Sequence, residues 1–245
     1  MDSGYYAACA GLRAQSQALE VAAHNLANVN TPGFRAEQTT FQSLLAVARP
    51  LPPNPLNFVT NNYGVLEGTH LDLSEGNLAS TGNPFDVGIQ GSGFFAVQTA
   101  RGTRYTRNGS FQVSSAGELV TAAGDPVLGD TGVIRIPAGA VAIAADGTVS
   151  VNGAVAGQIR VVDFPAGTPL LSEGGTLLSA PATASAQSAP QASLRQGMLE
   201  SSNVNAIASV VGLIGVQRQA EMLGRAMSLF DTEFNHIAAS DLAKV

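Results

Sequence analysis

The amino-acid sequence predicts an α+β protein in which helices at the two ends form a coiled-coil layer, with a central, mainly antiparallel β domain between them in sequence. Three observations carry that prediction. Both ends bear apolar residues at alternating intervals of four and three, the spacing that lays one narrow stripe along a helix. Between them the pattern changes to short runs rich in Val, Ile and Phe, bounded by Gly, Asn and Asp pairs, as strands and tight turns require. The 245 residues include 27 glycines and 12 prolines, with 12% charged residues and no tryptophan, a composition suited to many turns and close packing.

In chain order, the first stripe runs through Ala8, Leu12, Gln15, Leu19, Ala22, Leu26 and Val29. An isolated helix of this length is marginal in water, so the stripe needs a partner. Thr31-Pro32-Gly33 ends the helix, because the residue before proline leaves the α region and glycine admits left-handed geometry. A short second helix is expected over Glu37 to Val47, which makes 1–47 an N-terminal helical segment. The proline-rich stretch from Arg49 to Pro55 forbids regular structure and favours a stiff, extended link over 48–68.

The central β domain is expected over 69–194. Its candidate strands are Phe85 to Ile89, Gly93 to Thr99, Thr103 to Arg107, Phe111 to Val113, Glu118 to Thr121, Val141 to Ala144, Thr148 to Val151 and Gln158 to Phe164. Asp146-Gly147 and Asn152-Gly153 are hairpin signals, since such pairs accept the positive φ of tight primed turns. Ala180 to Ala192 is rich in Ala, Ser and Pro without an apolar period and is expected to return the chain as an extended strap. A C-terminal helical segment, 195–245, then carries the second stripe: Leu213, Val216, Ala220, Leu223, Met227, Phe230, Phe234 and Ile237. Stripes this narrow suit partner helices better than a globular core. The chain looks built to join its own ends and then other copies of itself.

Composition narrows the function classes. With a net charge of −6 and a single lysine, Lys244, no basic stripe gathers phosphates, so nucleic acid is not an expected partner. No run of about 18 apolar residues offers a transmembrane span. Asp2, Arg13, Gln15, Ser16, Gln17 and Glu20 deny the N-terminus the pattern of a cleavable signal peptide. Cys9, the one cysteine, reads as a packed thiol.

Chemistry is sought and not found. His24, His70 and His236 lie far apart, outside any metal-ligand spacing. Gly88-Ile89-Gln90-Gly91-Ser92-Gly93 lacks the lysine of a phosphate loop and leads into a strand, so close backbone packing explains its glycines. Asp86, Asp125 and Asp146 belong with the other central acids to turns and strand ends, and Asn108-Gly109-Ser110 reads as a turn. No catalytic, cofactor-binding or metal site is expected.

The residues after the first stripe, Ala22-Ala23-His24-Asn25-Leu26-Ala27-Asn28-Val29-Asn30-Thr31-Pro32-Gly33-Phe34, resemble the N-terminal signature of the bacterial flagellar axial proteins of rod and hook. Phe85 to Gln98, Tyr105 to Gly109, Gly117 to Val120 and Gly124 to Gly129 resemble that family's central domain. Gly197-Met198-Leu199-Glu200-Ser201-Ser202-Asn203-Val204-Asn205, with Gln217-Arg218-Gln219-Ala220-Glu221, resembles its C-terminal signature. His24 departs from the pattern, which usually has asparagine there.

The resemblance implies a structural subunit of the flagellar rod, a drive shaft and export channel crossing the periplasm. It implies polymerisation with copies of itself and with other rod proteins, and exit through the flagellar type III export apparatus. The residues expected to carry assembly are Leu12, Leu19, Asn25, Leu26 and Asn28 at the N-terminal end, with Leu213, Val216, Leu223, Met227, Phe230, Phe234 and Ile237 at the other. The short span between Phe34 and Gly93 is most like the proximal rod type, with the distal rod type as the alternative. A peptidoglycan-acting enzyme of the cell envelope is the rival from another class, and it would need a convergent carboxylate pair or a metal.

Overall fold

The structure, a computed structural model, describes residues 2–45 and 62–242, with the side chains at the far ends of both helices and along most of the first two strands excepted. Of the link expected over 48–68, residues 48–61, with the proline-rich stretch, lie outside the described residues, and 62–68 belong to the strand Asn62–Leu71. The chain divides into two compact units. One comprises residues 1–26, 37–69 and 205–245; the other comprises 27–36 and 70–204.

In the first unit, α1 spans Asp2–Ala27 and α2 spans Ala206–Leu242. Asn205 caps α2: its carbonyl accepts the first helical bond, from the Ser209 N–H, and its side-chain oxygen accepts from the Ala208 N–H at 3.0 Å, supplying an acceptor for one of the N–H groups that a helix start leaves unpaired. The helix expected over Glu37 to Val47 is instead a strand, Glu37–Leu45, paired with Asn62–Leu71. Thr39, Thr40 and Phe41 explain the correction, because β-branched and aromatic side chains lose rotamer freedom in a helix and pack well on a pleated surface.

The second unit is built of short strands. A six-stranded antiparallel sheet runs in the order Leu171–Ser172, Leu178–Ser179, Gly102–Thr106, Phe94–Thr99, Val161–Asp163 and Gln187–Ser188. Three further strands, Val141–Ile143, Thr148–Val151 and Ala154–Gln158, make an antiparallel meander. Alternation of side chains sends Phe94 and Phe95 to opposite faces of one strand. Phe95 accordingly joins the larger core with Val87, Ile89, Val97, Leu119, Val127 and Val149, while Phe94 packs with Leu170 and Leu178.

Several boundaries move. The strand expected over Gln158 to Phe164 is two strands, one on the meander and one on the sheet. The strap expected over Ala180 to Ala192 contributes Gln187–Ser188 to the sheet edge. Residues 195–205, expected to be helical, are not: Ser193–Gln196 pairs with Val87–Gln90, and Met198–Glu200 pairs with Leu78–Ser80. Gly197, at φ 72°, makes the bend between those strands. At Asn152-Gly153 both φ values are positive, 52° and 85°, as a primed hairpin turn needs. At Asp146-Gly147 only the glycine is positive, and the Asp146 carboxylate accepts from the Thr148 N–H and hydroxyl, both at 2.9 Å.

Candidate functional site

Within the first unit, α1 and α2 meet along small residues. Ala14 and Ala18 are the buried ones among the described side chains of α1, and a methyl placed on Gly11 would stand 3.7 Å from Leu223 Cδ1. Gln15 Nε2 donates to the Val216 carbonyl at 3.1 Å and to Gln219 Oε1 at 2.8 Å. The buried face of α1 thus lies about a quarter-turn from the expected stripe, and Leu12, Leu19 and Leu26 are half-buried at its side. The reason is a second neighbour. Asn25 Nδ2 donates to the Glu37 carbonyl at 2.7 Å while the Glu37 N–H donates to Asn25 Oδ1 at 2.9 Å, so α1 must face a strand as well as a helix and its covered face is broad.

On α2 the expected spacing is visible in the burial. Ser209, Leu213, Val216, Ala220, Leu223 and Met227 are half-buried, and most residues between them are exposed. The side chains of Phe230, Phe234 and Ile237 lie outside the described ones. Opposite that row, Ile207, Val210, Val211, Ile214, Met222 and Leu229 are exposed apolar side chains. Residues four and three apart share a helix face, so α2 carries two apolar faces, one turned inward and one open. Arg218 and Arg225 interrupt the open face.

The second unit holds a buried ion triad. The Glu200 carboxylate takes Arg35 Nη2 on Oε1 at 2.6 Å and Arg107 Nη1 on Oε2 at 3.0 Å, with the two guanidiniums 2% and 3% exposed and the carboxylate 1%. Oε1 also accepts the Gly76 N–H at 2.7 Å. Arg107 reaches the Gly91 carbonyl at 2.7 Å and stands over the Phe94 ring at 5.5 Å. Burial draws the Arg107 guanidinium below its ordinary pKa, and the Glu200 charge opposes that shift. Arg35 Nε and Nη1 and Arg107 Nε are buried without a hydrogen-bond partner. Such a triad is held by geometry, since removing one ion strands the others in a medium of low polarity.

Around the triad the two outgoing arms of the chain are bonded to each other. The Gly33 N–H donates to the Glu200 carbonyl at 2.8 Å, the Ala36 N–H to Asn203 Oδ1 at 2.7 Å, and Asn203 Nδ2 to the Asp72 carbonyl at 2.8 Å. Gly33 has φ 70°, and any Cβ there would collide with the backbone of Arg107 and Asn108. Asn28 caps the turn after α1, accepting from the Thr31 N–H and hydroxyl, both at 3.1 Å. The Ser74 N–H, bonded to Asp72 Oδ1 at 2.9 Å, holds that carboxyl below the usual range.

Asn25 and Asn28, expected at an assembly surface, therefore have intrachain bonds, and Leu213, Val216 and Leu223 belong to the face turned inward. Sequence reasoning missed the triad entirely. Its only signal is placement: Glu200 and Arg107 stand inside the quoted motifs and Arg35 one residue beyond another. Among the described residues no group of His, Cys, Asp or Glu is arranged to hold a metal, and no helix is long and apolar enough to cross a membrane.

Three family descriptions match the chain in order: "Flagella basal body rod protein" over residues 6–35, "Flagellar hook protein FlgE/F/G D1 domain" over 88–151, and "Flagellar basal body rod FlgEFG protein C-terminal" over 195–232. The flagellar basal-body rod protein FlgF of Escherichia coli K12 is 36% identical, over 94% of this chain and 95% of that protein. FlgF of Caulobacter vibrioides is 32% identical over the whole of both. The flagellar basal-body rod protein FlgG of Buchnera aphidicola from Acyrthosiphon pisum is 33% identical, over 90% of this chain and 93% of that protein.

Proposed function

We propose a mechanism for this chain from one premise: it belongs to the flagellar basal-body rod protein family, is FlgF-like, and is a structural subunit of the rod in the flagellar basal body. Its mechanical element is the helical layer. The observation that carries this reading is the pair of apolar faces on α2, one against α1 and one exposed. A subunit that satisfied all its apolar surface internally would have nothing to polymerise with; α2 alone keeps Ile207, Val210, Val211, Ile214, Met222 and Leu229 in water, which marks an interaction surface. Burial of that face against neighbouring copies and other rod proteins, repeated along the shaft, resists torsion cooperatively, whereas exposed ion pairs contribute little.

In the same proposal, coiled-coil pairing of α1 with α2 continues the antiparallel contact of Gln15 with Val216 and Gln219, and the subunit passes through the flagellar type III export apparatus. Catalysis has no place in this reading. Asp86 is bonded by Asn83 Nδ2 at 2.9 Å and Asp146 by Thr148, which is turn chemistry. The distal rod type has no better support than the proximal one, since its relatives match no more closely. The test is Leu19→Asp or Leu223→Asp, expressed in cells lacking their own copy. Rod assembly and swimming are expected to fail while the β unit stays folded; normal swimming would sink the reading. Cleavage of peptidoglycan by the purified protein, abolished by one Asp→Asn change, would move it to the enzyme class.

A further inference from the structure

The first unit also contains a groove that the rod reading leaves unused. It has a volume of about 430 Å³ and lies between α1, the start of the Glu37–Leu45 strand and the first turns of α2. Small side chains make its floor: Ala18, Ala22, Ser209 and Gly212. Gln15, Gln219 and Asn25 supply amides, and Glu37 supplies a carboxylate whose Oε1 stands 3.8 Å from His24 Nδ1. Small residues at such a place leave room for side chains from elsewhere, since well-packed helices otherwise fill their contacts to crystal-like density.

The same chain carries a row fit to enter it. Ile207, Val211 and Ile214 stand on the open face of α2, with Ile207 79% and Val211 65% exposed, and Arg218 continues the row one turn on. We propose that the groove is a socket for the Ile207–Ile214 row of a second copy of this chain, with Arg218 of the incoming helix directed toward the carboxylate of Glu37. Large apolar side chains meet small ones and a basic position meets an acidic one. Row and socket occupy different faces of one unit, so the contact is heterologous: each copy offers a row to one neighbour and a socket to another. Contacts of that kind do not use themselves up in a dimer and extend into an open assembly. This inference rests on the rod reading and adds to it which surfaces meet.

Full-length chain with Cys9→Ser, Ala22→Cys and Val211→Cys tests it under copper-phenanthroline oxidation over a range of concentrations. A ladder of disulfide-linked multimers is expected, and its absence at every concentration overturns the proposal. Two blocking changes refine the test. Ile207→Asp, added to the two-cysteine chain, spoils the row, and Gly212→Trp, added to the same chain, fills the socket. Each is expected to abolish the ladder, and a ladder that persists with either overturns the proposal.

Mixtures decide the hand of the contact. A chain with Ile214→Asp and Ala22→Cys has only a socket, and one with Gly212→Trp and Val211→Cys has only a row. Mixed, they should cross-link to dimers that stop there. Both partners carry Cys9→Ser, so dimers from either partner alone, or no dimers from the mixture, would show a different interface. Cells carrying Gly212→Trp that assemble rods normally would sink the socket and leave the rod reading intact, whereas normal rods in Leu223→Asp cells would sink that reading itself.

Discussion

Glu200→Ala is the most informative single perturbation of the central unit. It would leave the Arg35 and Arg107 guanidiniums, 2% and 3% exposed, without the carboxylate that both share. Breaking a buried ion pair from one side costs about 3–5 kcal/mol, and the Gly76 N–H loses its acceptor, worth about 1 kcal/mol or more when buried. Arg107 retains the Gly91 carbonyl and the Phe94 ring, which offsets part of the loss. The net expectation is about 4 kcal/mol, a large fraction of the roughly 5–15 kcal/mol that holds a domain. At about 3 °C per kcal/mol for a unit of this size, the melting point falls by about 12 °C.

Urea and thermal unfolding of the full chain, followed by β-band circular dichroism and by exchange of the Phe94–Thr106 amides, would measure it. A control separates charge from shape: Arg35→Met, Arg107→Met and Glu200→Leu together remove every ion, and that triple variant is expected to recover most of the lost stability. A Glu200→Ala protein within about 1 kcal/mol of the parent would refute the argument that the triad is desolvated.

Other outcomes follow from the same geometry. Gly109→Ala should cost at least about 2 kcal/mol in urea unfolding, because any Cβ there collides with the Val87 carbonyl and the strand cannot shift without breaking its ladder. Asn152→Val, at φ 52°, should cost about 1–2 kcal/mol by the same measurement, while Asn152→Gly, which keeps the backbone geometry and loses only the exposed bond from the Ala140 N–H, should cost less. Asp72 and Glu173 carboxyls are held low, by the Ser74 N–H and by the Arg104 guanidinium respectively. Since their folded pKa values are depressed, their contribution is present above the usual carboxylate pKa of about 4 and is lost as pH falls through the folded values. The urea midpoint should therefore stay flat from about pH 7 to 5 and drop below about pH 4, with Asp72→Asn reducing the drop. Gln15→Ala should loosen the helix pair by about 1 kcal/mol, read as faster amide exchange in α1 from Gly11 to Ala18.

Periodicity revealed what periodicity controls. The two helices, the turn at Asn152-Gly153 and the core strand Phe94–Thr99 follow from residue spacing and turn chemistry that act over a few positions. The Glu37–Leu45 strand was hidden because its Thr-rich pattern is short and its support is distant in sequence: Asn25 fixes the Glu37 backbone from the helix. Strands Ser193–Gln196 and Met198–Glu200 owe their pairing to Val87–Gln90 and Leu78–Ser80, over 100 residues away, and no local window contains that information. The triad was illegible for the same reason. Arg35, Arg107 and Glu200 are three ordinary charges in the sequence, and only the fold makes them neighbours. On α2 the inward row was legible and the outward one was not, since a stripe in sequence does not say which of two apolar faces will be covered inside the chain.

The triad also bears on how the ends come together. Each of the three matched regions supplies one of its ions or stands beside it: Arg35 closes the first, Arg107 lies in the second and Glu200 in the third. The central unit is therefore not the middle of the sequence but a composite of all three blocks. Its arms are tied at Gly33 to Glu200 and at Ala36 to Asn203, immediately before the chain enters the helical unit on each side. With those ties made, α1 and α2 close a loop of a few tens of residues in effect; without them, α1 would have to find α2 across about two hundred. Loop-closure entropy grows as about (3/2)RT ln n, so a tenfold difference in effective length is worth about 2 kcal/mol to the helix pair. A buried cluster that adds little to stability compared with an apolar core thus has a second effect, on the helices, through the positions at which it holds the two arms.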